Sequence, residues 1–148
     1  MEPEASDLLD LPDMEEVIVY GRASLGFLRS EVFDAEDSYF SAFNDLNSTD
    51  EFDITCRREA PPGTRIARRV CRAKFVADLE YKSFREGVPF ATFAPLVQQK
   101  EALLQSEMRE LLAEHPEFLN ALSEFDSVQE RYESEREQRC AGRKLFCR

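Results

Sequence analysis

Seven apolar residues, Leu25, Leu28, Val32, Ala35, Tyr39, Ala42 and Leu46, recur at alternating steps of three and four. That spacing places them on one face of a helix with 3.6 residues per turn. Phe33, Phe40 and Phe43 widen the stripe beyond a coiled-coil seam, so the helix needs a broad surface to cover it rather than a single zipper partner. Ser24 stands where an N-cap belongs. Asn47-Ser48-Thr49-Asp50 ends the helix, because these side chains compete for backbone hydrogen bonds. An amphipathic helix in a protein draws most of its stability from packing, so the rest of the chain must supply the cover.

Two further stripes can do so. Leu96, Leu103, Leu104, Met108, Leu111 and Leu112 form one apolar face, with Thr92 as the expected cap and Pro95 tolerated in the first turn. His115-Pro116 interrupts this helix, since proline pushes its predecessor out of the α region. A third helix starts near Pro116 and carries Phe118, Leu119, Leu122, Phe125, Val128 and Tyr132. The second and third helices are expected to form an antiparallel helical hairpin. From Glu133 to Arg139 every residue is polar, which predicts that the helix end projects into water. A short helix is expected around Ala77–Arg85, broken by Gly87 and Pro89.

Between the first two stripes the pattern changes. Glu51-Phe52-Asp53-Ile54-Thr55-Cys56 alternates acid and apolar like a half-buried strand. Ala60-Pro61-Pro62-Gly63-Thr64 is a strong turn signal, and Arg65 to Arg72 forms the returning arm. Cys56 and Cys71 flank that turn; Cys140 and Cys147 flank Ala-Gly-Arg-Lys-Leu-Phe. Four cysteines allow three pairings. Local pairing, Cys56 with Cys71 and Cys140 with Cys147, is the economical expectation, and closing a loop of about 15 residues stabilises by roughly 3 kcal/mol. Free buried thiols, as in a cytosolic helical adaptor, are the alternative. A zinc site lacks the Cys-x-x-Cys spacing, and the single His115 is distant in sequence, so no metal and no cofactor is expected. Disulfides imply an oxidising compartment, the periplasm or the cell exterior. The expected fold is α+β and mostly helical: three amphipathic helices, including the helical hairpin, plus a small disulfide-tied β-hairpin. Residues 1–14 read as a flexible acidic leader anchored only by Leu8, Leu9 and Leu11, and residues 15–148 as one domain.

Charge is distributed unevenly over the 148 residues, whose net charge is −11. Residues 1–55 hold 15 acids against Arg22 and Arg29; residues 56–74 hold seven bases against Glu59. The acidic total argues against nucleic acid as a partner, while the basic stretch leaves room for a local anion site. No run approaches the ~20 apolar residues of a membrane span. Met1-Glu2-Pro3-Glu4 lacks the features of a signal peptide, so the start is either native or that of a mature chain after removal of an export signal.

Two segments are candidate binding sites. Glu16-Val17-Ile18-Val19-Tyr20-Gly21 is a short β-prone arm that can add a strand to a partner's sheet, or pair within its own fold near residues 52–56. Arg65, Arg68, Arg69 and Arg72 are candidate anion ligands, because guanidinium forks match phosphate and carboxylate; internal charge balance against the first helix and against Asp50, Glu51 and Asp53 is the competing reading. Asp45-x-Asn47-x-Thr49 resembles the start of a calcium loop but has Asp50 where glycine is required and Cys56 where the closing glutamate belongs, so turn chemistry is expected there. Asn47-Ser48-Thr49 matches a glycosylation sequon, a short and common pattern. No catalytic motif is present, and His115 has a structural task at a helix break. A non-enzymatic role is therefore expected.

The segment Glu16-Val17-Ile18-Val19-Tyr20-Gly21-Arg22 resembles the TonB box of outer-membrane TonB-dependent receptors, with Tyr20 in place of the usual Thr or Ser. The chain after Arg22 has no room for a receptor barrel. Over most of its length the chain is similar to a group of small exported proteobacterial proteins without an assigned activity. The similarity lies in Glu-Val-Ile-Val-x-Gly, Phe40 to Asp53 with Asn44-Asp45-Leu46-Asn47 and Asp50-Glu51-Phe52-Asp53-Ile54, and Cys56 to Cys71 around Pro-x-Gly-Thr-Arg-Ile. It implies a cleaved signal and a periplasmic or envelope home; the arm of residues 16–21 adds the expectation of a protein partner, TonB-like or another envelope protein. It supplies no catalytic residues.

Overall fold

The first amphipathic stripe forms helix α1, Leu25–Leu46, in a computed structural model that describes residues 21–141. The expected arm over residues 16–20 and the acidic leader lie outside the described residues, as does Cys147. Ser24 caps α1 as its side chain predicts, Oγ accepting from the Phe27 N–H at 3.0 Å. Leu28, Ala35, Tyr39 and Phe43 are its buried residues. Phe43, one of the residues that widen the stripe, is completely buried.

A single 3-10 turn, Asp50–Phe52, leads into a two-stranded antiparallel sheet. Strand β1 is Ile54–Glu59 and β2 is Arg68–Ala73, with Ile54 opposite Ala73 and Cys56 opposite Cys71. The first strand therefore begins three residues later than the alternation from Glu51 indicates. Phe52 is buried from the 3-10 turn rather than from a strand and joins Ile54 in the same core cluster. Pro62 and Gly63 occupy the central turn positions: the Thr64 N–H donates to Pro61 O at 3.1 Å, and Gly63 adopts φ 80°, a conformation only glycine takes freely.

Helix α2, Lys74–Glu86, follows β2 directly and stops at Gly87, whose φ of 66° forms a left-handed cap. A 3-10 turn, Phe90–Phe93, precedes α3, Ala94–Glu114. Thr92 does not cap α3. Its N–H donates to Pro89 O within that turn, and Phe93 holds the cap position without a side-chain bond. His115 separates α3 from α4, Pro116–Cys140, with extended dihedrals of −118° and 99°. Its N–H donates to Leu111 O, and its carbonyl accepts from the Phe118 and Leu119 N–H groups. One residue thus ends one helix and starts the next. Its Nδ1 lies 3.0 Å from Glu117 Oε1; a hydrogen bond from the Glu117 backbone N–H and the His115 ring hold that carboxyl below its usual range.

The most extensive packing is between α1 and α4, which run antiparallel. Phe43 meets Phe118, and Tyr39 stacks on Phe118 with centroids 5.1 Å apart and planes 3° apart. Farther along, Arg29 donates to the Tyr132 hydroxyl and Arg22 pairs with Glu135. One side of the polar end of α4 lies beside the start of α1, where Glu135 and Arg139 are half-buried and pair with one another; Glu133, Ser134, Arg136, Glu137 and Gln138 are exposed, as expected. The core joins Tyr39, Phe43 and Phe118 to Phe52, Ile54, Ala73 and Phe75. Helix α3 contributes no fully buried residue and covers this cluster with Val97, Leu104, Met108, Leu111 and Leu112. The α+β class, the helical majority and the small disulfide-tied hairpin are as the sequence implies. No helix of the described residues is long and apolar enough to cross a membrane.

Candidate functional site

The hairpin presents two unlike faces. Side chains directly opposite in an antiparallel pair share a face, so Ile54, Cys56 and Arg58 lie with Ala73, Cys71 and Arg69. This face meets α1. At one end the Asn44 side chain takes both backbone groups of Ile54: Oδ1 accepts its N–H at 2.8 Å and Nδ2 donates to its carbonyl at 2.9 Å. In the middle, Cys56 and Cys71 form a disulfide. Glu36 Oε2 lies 3.5 Å from Cys71 Sγ, a contact without a proton, since a disulfide sulfur carries none. Glu36, Cys56 and Cys71 are close enough together to hold an ion, but bonded sulfurs are not thiolates and Arg69 already occupies the carboxylate.

The arginines divide into two sets. Arg69 donates from Nε to Glu36 at 3.0 Å and from a terminal nitrogen to Asp37 at 2.7 Å, and its guanidinium lies 5.0 Å from the Phe33 ring centre. Desolvation pulls its pKa down, but the hydrogen bonds and charges of Asp37 and Glu36 outweigh this and hold it above its ordinary value. Arg72, on the opposite face, is paired with both Glu59 and Glu80. These two candidates are neutralised internally: Arg69 by acids of the first helix, as expected, and Arg72 by Glu59 of β1 and Glu80 of α2 rather than by Asp50, Glu51 or Asp53. Glu51 pairs instead with Lys100, and Asp53 accepts from Asn47 Nδ2 at 2.8 Å. Asn47 Oδ1 in turn accepts the Thr49 N–H, so the calcium-like run is turn chemistry.

The second set is uncompensated. Arg65 and Arg68 are exposed and make no hydrogen bond or ion pair among the described residues. Among the described residues, Arg58 donates only to the Ala67 carbonyl, at 3.5 Å, and the Arg29 guanidinium bonds only to the Tyr132 hydroxyl, lying over its ring. Arg29, Arg58 and Arg68 surround a groove of about 740 Å³ between the far end of the hairpin and the α1–α4 pair. Its walls are mainly apolar, from Val32 and Phe33 on one side and Ile66 and Ala67 on the other. Ile66 is 70% exposed. Guanidinium groups at the rim of an apolar cleft suit a ligand that is both anionic and apolar.

Comparison with protein-family models, with curated proteins and with solved structures found no match.

Of the residues singled out in the sequence, Arg68 and Arg69 line this groove while Arg72 faces away from it, and Arg65 stands at the hairpin tip. Gly21 is exposed just before α1, and Glu16 to Tyr20 fall outside the described residues. Cys140 is disulfide-bonded; its expected partner, Cys147, is not among the described residues. The sequence reading missed Arg29 and Tyr132 as groove residues. Arg29 carries the one usable signal, as one of only two bases in residues 1–55.

Proposed function

We propose that this chain is a non-enzymatic binding protein that takes an acidic segment of a partner protein in the groove between the hairpin and the α1–α4 pair. One observation carries the reading. In a chain with 30 acids and 19 bases, Arg29, Arg58 and Arg68 converge on an apolar groove without a carboxylate among the described residues. Internal charge balance is satisfied at Arg69 and Arg72 and withheld here. The single histidine is occupied at the α3–α4 junction, which favours binding over acid–base chemistry. The Cys56–Cys71 disulfide supports an exported protein in the periplasm or envelope.

The test is fluorescence anisotropy with a labelled peptide of about eight residues alternating aspartate and valine, a strand-like pattern. The double charge reversal R58E/R68E is expected to weaken binding by at least about tenfold, a difference of about 1.4 kcal/mol. Affinity should fall between about 10 and about 150 mM salt, as the Debye length shrinks from about 30 to about 8 Å. Binding unchanged by R58E/R68E, or an oligothymidylate of equal charge binding as tightly as the peptide, would overturn the reading.

A further inference from the structure

The hydrogen-bond parity of the hairpin points to how such a partner is held. Along an antiparallel strand, successive residues direct their N–H and C=O alternately inward, to the paired strand, and outward. Lys74 N donates to Asp53 O at 2.9 Å, so those two residues point inward. One step on, Ile54 and Ala73 must point outward, and Ile54 does: both its backbone groups go to Asn44. Cys56 and Cys71 share that parity, in agreement with their Cα separation of 3.9 Å, since non-hydrogen-bonded pairs are the closer kind. Arg58 and Arg69 share it too.

The outward edge of β2 therefore offers the N–H and C=O of Arg69 and Cys71. Among the described residues, no hydrogen bond outside the β1–β2 ladder uses any of the four, and the parity turns them away from that ladder. The two edges are not equivalent. The β1 edge begins beneath Asn44, which already occupies it at Ile54. The β2 edge runs out of the groove, one wall of which is the continuous stretch Ile66, Ala67, Arg68 and Arg69, with α1 and Tyr132 opposite. A cleft between a strand edge and a helix is a setting in which an extended peptide adds to a sheet.

Building on the proposed binding role, we infer that the partner segment enters as a third strand along β2, hydrogen-bonded to Arg69 and Cys71. Alternate side chains of a strand face opposite ways. One set of the partner's side chains would meet Val32, Phe33 and Ile66 on the α1 side, where Arg58 also lies, and the other set would carry carboxylates to Arg68 on the opposite face. The occupant is thus an extended protein segment alternating apolar and acidic residues. A polyanion lacks the backbone donors and acceptors that this edge requires. A two-stranded sheet is marginal by itself, and a third strand on its open edge would complete it.

The experiment compares the aspartate–valine peptide with a copy N-methylated at alternate backbone nitrogens, made in both registers and titrated against the full chain. N-methylation removes donors and leaves every charge and side chain in place. The N-methylated copy in the register that blocks the β2-facing donors is expected to bind at least about tenfold more weakly, while the other register keeps most of the affinity. Amide exchange gives a second readout. Arg69 and Cys71 N–H groups should gain protection on binding, whereas Val70 and Arg72, already paired inward with Arg57 and Thr55, should change little. Equal binding of both N-methylated peptides, without protection at Arg69 and Cys71, would overturn strand addition while leaving the anionic groove intact. Binding insensitive to R58E/R68E would overturn the groove itself.

Discussion

Asn44 is the hinge of the contact between α1 and the hairpin, and its replacement tests that contact directly. Its amide makes two hydrogen bonds to one residue, at 2.8 and 2.9 Å, with Ile54 only 8% exposed. Asn44→Ala leaves the Ile54 N–H and C=O with little access to water. Each bond contributes about 1 kcal/mol net, and an unsatisfied buried group costs about 1–3 kcal/mol, so the substitution should destabilise by about 2–3 kcal/mol. Asn44→Asp is the sharper perturbation. It is nearly isosteric and keeps the acceptor for the Ile54 N–H, but it sets a carboxylate oxygen against the Ile54 carbonyl. The introduced carboxyl should have a folded-state pKa above its unfolded value of about 3.9, because only its protonated form can donate. The penalty is therefore absent below the unfolded pKa, grows as pH rises through the folded pKa, and is complete above it. Urea unfolding followed by far-UV circular dichroism is the assay. With a slope of about 1.5 kcal/mol per molar urea, Asn44→Ala should lower the midpoint by about 1.3–2 M at unchanged slope. The reasoning fails if Asn44→Ala costs less than about 0.5 kcal/mol, or if Asn44→Asp is as stable as wild type at neutral pH.

Three further outcomes are expected. Cys56→Ser with Cys71→Ser opens a loop with a sequence separation of 15 and should cost about 3 kcal/mol, read as a lower melting temperature without added reductant. Phe118→Ala empties a completely buried site stacked on Tyr39 and should cost about 3–5 kcal/mol by urea titration, whereas Arg68→Ala in the same assay should change stability by less than about 0.5 kcal/mol. Desolvation, and then the charge of Asp126, push the Tyr39 phenol above its ordinary value of 10.0. The unfolded chain releases that proton first, so this residue's contribution is present below pH 10 and is lost as pH rises toward the folded value; Tyr39→Phe should flatten that alkaline loss in denaturation curves across pH 9–12.

Periodicity made the helices legible, because a stripe such as Leu25 to Leu46 has few ways to be buried other than on one face of a helix. The Cys56–Cys71 staple was legible for a similarly local reason, a Pro-Pro-Gly turn between two cysteines. Capping of α3 was not: Thr92 is a good capping residue by type, but the 3-10 turn after Pro89 takes it up and leaves Phe93 at the cap position. The docking of one side of α4's polar end was hidden as well, since Arg22 and Glu135 are far apart in sequence and no local pattern announces their pairing. The groove was half legible. Composition marked the basic stretch, yet only tertiary placement decides which guanidinium groups meet a carboxylate. Arg69 and Arg72 do, while Arg58 and Arg68, indistinguishable from them in sequence, do not.

The antiparallel pairing of α1 with α4 also sets a timetable for synthesis. Phe43 must wait for Phe118, about 75 residues later, and at about 5–20 residues per second that is a delay of roughly 4–15 s. During that interval Tyr39 and Phe43 have lost neither their apolar character nor their exposure, and the hairpin and α3 that emerge first cannot cover them fully. A nascent chain halted before Pro116 would therefore present the face of α1 to whatever holdase or export machinery is nearby, and only the last quarter of the chain withdraws that invitation.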